Sequence, residues 1–173
     1  MRSTEENEYV EYVRSRLPRL HRVAYLVLGD ADRADDAVQD ALAVLYRRWN
    51  RLAGVSSLDA YVHTMVVRAC LAYQRRSWAR VLLRGEPPDR TVAPDTTADD
   101  RLVLRAALRR LPERQRAAVI LRFLCDLPVD ETARVLGCSE GTVKSRVHHG
   151  LRALRTTLRD RTHATPPAER TSR

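Results

Sequence analysis

Apolar residues along this chain recur at steps of three and four, the period of a helix that buries one face. Tyr9, Val10, Val13, Leu17, Leu20, Val23, Ala24 and Val27 set the pattern in the first segment. Pro18 predicts a break or kink near Arg16–Leu17, and Gly29 suits the residue that ends the helix. A second helix is expected from Asp32, whose carboxylate can cap free amides, with Asp35 and Asp36 favoured in the first turn. Its apolar stripe is Ala34, Val38, Ala41, Leu42, Leu45 and Trp49, and its opposite face carries Asp36, Gln39, Asp40 and Ala43. A loop, Asn50 to Ser57, leads to a third helix, Leu58 to Trp78, capped by Ser57 and buried along Tyr61, Val62, Met65, Val66, Ala69 and Tyr73. Three such helices with no alternating strand pattern form one compact bundle.

The period stops at residues 84–100, where proline, threonine and acids dominate, as in a flexible linker. It resumes through Leu102, Val103, Ala106, Ala107 and Leu111, and Pro112 stands at the first position of a new helix. That helix carries Ala117, Val119, Ile120, Leu121 and Phe123, and Leu127-Pro128 makes the next turn. Val129 to Leu136 is then a short helix, Gly137-Cys138-Ser139 a tight turn, and Glu140 to about Leu158 a longer helix with Ser139 as its N-cap. Two helices joined by a short Gly-containing turn make a helix-turn-helix, whose second helix can enter a DNA major groove. The expected fold is therefore all-α: two small helical domains, an N-terminal bundle (1–80) and a C-terminal helix-turn-helix domain (101–160). A flexible linker (81–100) joins them, and a disordered tail (161–173) follows.

Charge supports the same division. The net charge is +9, and residues 101–173 alone carry +9, against +2 for 1–78 and −2 for 79–100. A basic excess confined to one module is the electrostatic footprint of a polyanion partner. Six glycines, none clustered, exclude a phosphate-cradling Gly-rich loop. Three cysteines without a C-x-x-C pair suit a reducing compartment. No apolar run approaches the ~18 residues of a membrane span, and the acidic N-terminus lacks a signal core. These features together point to a cytoplasmic protein with no membrane insertion.

The helix exposed after the tight turn presents Glu140, Lys144, Ser145, His148, His149, Arg152 and Arg155, while Ser139 and Thr142 hydroxyls and free amides can hold a phosphate. Arg146 suits DNA or an ion pair with Glu131 equally. Arg114, Arg116 and Arg122 read as phosphate contacts or as ordinary surface residues. Arg75, Arg76 and Arg80, interleaved with Trp78, suit a helix C-terminus or single-stranded DNA. Asp36, Gln39 and Asp40 make an ordinary solvated face or a protein-docking one. Cys125, Cys138, His148 and His149 match no usual zinc spacing, so no metal or cofactor is expected. No nucleophile–base set suggests an enzyme. A dimeric operator-binding regulator remains a competing class; it would need a dimerisation helix and bind DNA tightly alone.

Longer words in the sequence narrow these alternatives. Leu111-Pro112-Glu113-Arg114-Gln115-Arg116, Leu121-Arg122, Glu131-Thr132-Ala133 and Gly137-Cys138-Ser139-Glu140-Gly141-Thr142-Val143-Lys144-Ser145-Arg146 make residues 101–158 resemble the fourth conserved region of bacterial RNA polymerase sigma factors. Gly29-Asp30, Ala34 through Leu42 and the closing Arg75-Arg76 make residues 17–78 resemble the second region. With those two regions and a short linker, the chain resembles the extracytoplasmic-function (ECF, group 4) sigma factors. The resemblance implies an ECF-type factor that binds core RNA polymerase and directs promoter recognition, DNA melting and transcription initiation. It implies that Asp36, Gln39 and Asp40 dock on the clamp helices of the polymerase largest subunit. The loop Asn50–Ser57 and the following helix, with Arg68, Arg75 and Arg76, would open and read the −10 element. Ser139, Thr142, Lys144, Ser145, Arg146, His148 and His149 would face the −35 element. The family commonly has an anti-sigma factor as a further partner. This chain departs from the family pattern at Arg68, where Asn is usual, and at His149, where Arg is commoner.

Overall fold

The computed structural model describes residues 2–52, 55–84 and 100–163, and side chains at 4–52, 55–76, 102–160. The expected tail beyond His163, most of the expected linker, loop residues 53 and 54, and the side chains of Trp78 and Arg80 lie outside the described residues. The described chain is helical: α1 (Arg2–Leu28), α2 (Ala31–Arg48) with a 3-10 turn at Trp49–Arg51, α3 (Leu58–Arg84), α4 (Asp100–Arg110), α5 (Glu113–Phe123), α6 (Val129–Leu136) and α7 (Glu140–His163). Among the described residues no helix is long and apolar enough to cross a membrane.

Several expected boundaries move, each for a local reason. Helix α1 runs through Pro18 without the break expected near Arg16–Leu17. Pro18 and Arg14, whose carbonyl the missing amide would have bonded, both face solvent, where a carbonyl without an intrahelical partner costs little. Helix α2 begins one residue after Asp30, not at Asp32: the Asp30 side chain accepts from the Arg33 amide at 2.9 Å. Gly29, at φ +73°, ends α1 immediately before, so the cap must be the next residue. Helix α3 continues past Trp78 to Arg84 and shortens the expected linker, because no Gly or Pro interrupts it before Gly85. Pro112 precedes α5 as its N-cap instead of opening the helix. The expected caps Ser57 and Ser139 hold: Ser57 Oγ accepts from the Ala60 amide at 3.3 Å and Ser139 Oγ from the Thr142 amide at 3.2 Å.

The first three helices bury Leu20, Val23, Ala24 and Val27 against Ala34, Ala37, Val38, Ala41 and Leu45, and against Val62, Val66, Val67 and Cys70. The buried stripe of α3 thus turns toward Val67 and Cys70 relative to expectation, leaving Tyr61 and Tyr73 half-buried. Ile120, Leu121, Cys125 and Leu127 of the C-terminal module belong to this same cluster. The two modules are therefore packed on each other through one continuous apolar core. A second cluster, Ala107, Leu108, Leu111, Val119 and Leu154, lies within the C-terminal module and is met by Leu26 from α1. Polar contacts cross the same seam. The Arg105 and Arg109 guanidinium groups stand 5.8 and 4.9 Å from the Tyr25 ring centroid, and Arg19 Nη2 donates to the Leu124 carbonyl at 3.4 Å.

Candidate nucleic-acid interface

The helix-turn-helix is built from α6, the turn at 137–139, and α7. Gly137 adopts φ +61°, the left-handed conformation that lets the chain leave α6 sharply, and the Cys138 amide donates to the Ala133 carbonyl at 3.1 Å. Thr132, fully buried, donates its hydroxyl to the Pro128 carbonyl at 2.9 Å and so consumes its own polar atom inside the core. Ser139 caps α7, and its hydroxyl also lies 2.9 Å from the Thr142 hydroxyl. Both side chains therefore order the first turn of α7, the end where backbone amides point outward and an anion is favoured.

Beyond that turn, Val143 and Leu154 hold α7 to the core, with Val147, Leu151 and Leu158 half-buried. Lys144, Ser145, His148, His149, Arg152 and Arg155 are all exposed. His149 folds back on its own helix: its Nδ1 lies 2.7 Å from the Ser145 carbonyl oxygen and 3.3 Å from the Ser145 hydroxyl. The His148 and His149 rings meet edge to face at 5.6 Å. For Arg146 the structure supplies an intramolecular contact other than the expected ion pair. This arginine is half-buried, donates to Cys138 Sγ at 3.4 Å, and makes no ion pair with Glu131. It braces the tight turn.

Of the other C-terminal arginines, Arg114 is exposed, whereas Arg116 is buried with Nη1 donating to the Arg109 carbonyl at 3.4 Å. Arg122 donates to the Leu127 carbonyl. Arg116 and Arg122 thus fasten α5 to its neighbours, leaving Arg114 the one of the three free to reach a phosphate.

In the N-terminal module Asp36, Gln39 and Asp40 are exposed side by side on α2. Tyr73 of α3 borders this face. Its phenol is raised above the ordinary range, first by partial burial and then by the Asp40 and Asp36 charges. The Arg76 guanidinium lies 5.9 Å from the Tyr73 ring centroid, so it borders the acidic face as well. Arg68 and Arg75 are exposed and, seven residues apart, share one face of α3.

The ends of the loop between α2 and α3 are anchored by residues that the sequence did not single out. The Asp59 carboxylate, in the first turn of α3, accepts from the Tyr12 hydroxyl at 2.8 Å and from Arg16 Nε at 3.3 Å. Burial alone would raise this carboxyl, but the Tyr12 hydrogen bond and the Arg16 charge outweigh it and hold it below the usual range. Tyr9 packs edge-on against Tyr46 and Trp49, at 5.1 and 5.3 Å. Asn50 Nδ2 donates to Glu5 at 3.0 Å. The signal was present in the spacing of Tyr9, Tyr12 and Arg16, but one-dimensional periodicity does not say which helix a residue faces. His63, one turn along α3 from Asp59, is buried and held below the ordinary imidazole range, first by burial and then by the Arg19 charge.

Burial pushes the Cys70 and Cys125 thiols up to about 12, so neither is a thiolate near neutral pH. Among the described residues no three His, Cys, Asp or Glu side chains converge as metal ligands.

Comparison with known proteins gives this arrangement its place. Residues 12–80 match the family described as sigma-70 region 2, and residues 101–154 match sigma-70, region 4. The RNA polymerase sigma-E factor of Streptomyces avermitilis is 35% identical over 161 residues, covering 89% of this chain and 87% of that protein. The ECF RNA polymerase sigma factor SigL of Mycobacterium tuberculosis is 32% identical over 150 residues, covering 82% of this chain and 83% of that one. In fold, the chain is similar to the sigma factor RpoE of Bartonella quintana, solved with the anti-sigma factor NepR. The TM-score is 0.71 at 24% identity, over 88% of this chain and 97% of that one. A capped helix-turn-helix with a basic outer face, joined to a helical bundle and matched along nearly its whole length by these relatives, makes the chain a member of the ECF RNA polymerase sigma factors, non-enzymatic factors of promoter recognition and transcription initiation.

Proposed function

We propose that the chain divides promoter recognition between two modules, residues 1–80 and 101–160, joined by a linker at 81–100 and followed by a tail at 161–173. Asp36, Gln39 and Asp40 dock on the clamp helices of the polymerase largest subunit. The loop Asn50–Ser57 with Arg68, Arg75 and Arg76 captures unpaired bases of the −10 element. Ser139, Thr142, Lys144, Ser145, His148 and His149 face the −35 major groove, and Arg146 acts there by positioning the turn. The factor works in the cytoplasm, where its polymerase and promoters are. An anti-sigma factor is a further partner, as NepR is for its relative of similar fold.

The observation that carries this reading is the outer face of α7, where every expected base- or phosphate-facing residue except half-buried Arg146 and Thr142 is exposed on a helix whose N-terminus is capped. A lone recognition helix makes few base contacts, each worth about 1–3 kcal/mol. Joining two weak readers on one polymerase raises the effective concentration of each. Free protein therefore binds promoter DNA poorly, and holoenzyme binds it well. Run-off transcription with core polymerase, with and without the chain, tests the reading: specific transcripts appear only with it. Tight binding of one duplex by the free chain, with no transcript, would instead favour the stand-alone regulator.

The two faces separate by substitution. Lys144→Ala weakens promoter binding and reduces the slope of log K against log salt by about 0.9, the share of one neutralised phosphate. Gln39→Ala leaves that slope alone and weakens capture by core polymerase; unchanged capture in a pull-down would refute the docking assignment.

A further inference from the structure

The contact between His149 and Ser145 fixes more than a side-chain position. A carbonyl oxygen has no proton to give, so the 2.7 Å contact to the Ser145 carbonyl requires the hydrogen to sit on His149 Nδ1. In the neutral imidazole that leaves Nε2 with a lone pair and no hydrogen. The bonded carbonyl lies one turn back on α7, so Nδ1 faces the helix and Nε2, across the ring, faces away from it. The His148 ring packed at 5.6 Å, with an interplanar angle of 86°, limits rotation away from this pose. His149 is exposed on the face that carries Lys144 and Arg152, both of which can only donate.

We infer that His149, held in this tautomer by the Ser145 carbonyl, makes the −35 reader select an amino base, adenine or cytosine, over a keto base at the position it faces. Adenine N6 and cytosine N4 present donors in the major groove, whereas guanine O6 and N7 and thymine O4 present acceptors. A fixed acceptor at Nε2 meets the amino group with a hydrogen bond. Against a keto base it sets lone pair against lone pair and leaves both unsatisfied. The inference rests on the proposed role of α7 as the −35 reader and adds which base class one of its residues takes.

The test uses holoenzyme assembled from core polymerase and the full chain, selecting from promoters randomised across the −35 element. H149R identifies the strand that residue 149 faces, since it selects guanine there; on that strand, at that position, wild type enriches adenine or cytosine by roughly tenfold, the worth of one good contact, and the pool itself tells which of the two. H149R converts that same position to guanine, whose O6 and N7 suit the arginine fork, and leaves neighbouring positions unchanged. H149Q, whose amide both donates and accepts, loses the amino-over-keto discrimination there. On the strand where H149R takes guanine, guanine or thymine in wild type, or no H149R-sensitive position within an otherwise enriched element, overturns the inference and leaves the −35 assignment standing. A pool with no enrichment across the element overturns both. Nitrogen-15 spectra of the full chain supply an independent reading: the proton belongs on His149 Nδ1, and a neutral ring protonated on Nε2 instead removes the basis of the proposal.

Discussion

Leu121→Ala should lower the unfolding free energy by about 2–5 kcal/mol, the range for truncating a fully buried leucine that leaves a cavity. The size follows from its complete burial. The distribution of the effect is the sharper expectation. Leu121 sits on α5, yet it belongs to the cluster that also holds Leu20 and Val23 of α1 and Val62 and Val66 of α3. Amide exchange should therefore speed up in α1 and α3 as well as in α4–α7. Leu154→Ala is the control: Leu154 is buried at 7% exposure in the second cluster, which α1 meets at Leu26. Its loss should be felt mainly in α4, α5 and α7. Unchanged α1 and α3 protection in Leu121→Ala would show that the shared core does not couple the modules.

That coupling marks where the sequence stopped being informative. Helix periodicity located α2, α6 and the turn at 137–139, because capping and left-handed glycines act within three or four residues and leave local signatures. Ser57 and Ser139 were legible for that reason. Asp30 and Asp32 carry the same carboxylate two residues apart, and only the end of α1 at Gly29 decides between them. Pro18 reads as a breaker until its face is known to be solvent-exposed. Ile120, Leu121, Cys125 and Leu127 read as an ordinary core of their own module, since apolarity does not name its partner. The linker of proline and acid separates two modules in the sequence, and only tertiary burial tells that their apolar faces meet.

The candidate interface divides along the same line. Exposure of Lys144, Ser145, His148 and His149 follows from the 3.6-residue period once Val143 and Leu154 are placed inside. The individual hydrogen bonds do not follow: Arg146 reaching Cys138, Arg122 reaching Leu127, and His149 reaching Ser145 each depend on rotamers that spacing leaves open. Asp59, the anchor of the loop assigned to the −10 element, lies 47 residues from Tyr12 in sequence, beyond any local motif.

Gly150→Leu should cost on the order of 3 kcal/mol or more, since overpacking a tight helix crossing costs about 1–3 kcal/mol even for small insertions. Gly150 is where α7 crosses α5. A Cβ added there would stand 2.8 Å from Val119 Cγ2 and 3.7 Å from the Gln115 carbonyl oxygen. Val119 is buried, at 6% exposure, and β-branched, so leaving its preferred rotamer is costly. Gly150→Ala is the discriminating case, because two effects oppose. Alanine in a helix interior gains about 1 kcal/mol over glycine, while the clash removes more than that. A net loss is expected, and Val119→Ala made together with Gly150→Ala should recover much of it, giving a favourable coupling in a double-mutant cycle. The crossing also sets how far α7 stands from the body of its module. Moving it shifts Lys144, Ser145, His148 and His149 together, so Gly150→Ala holoenzyme should lose −35-dependent transcription while core polymerase still captures the chain through α2. Thermal unfolding and run-off assays on the two single variants and the double variant check both halves. Stability gained by Gly150→Ala alone would mean that α5 and α7 are not in contact at this crossing.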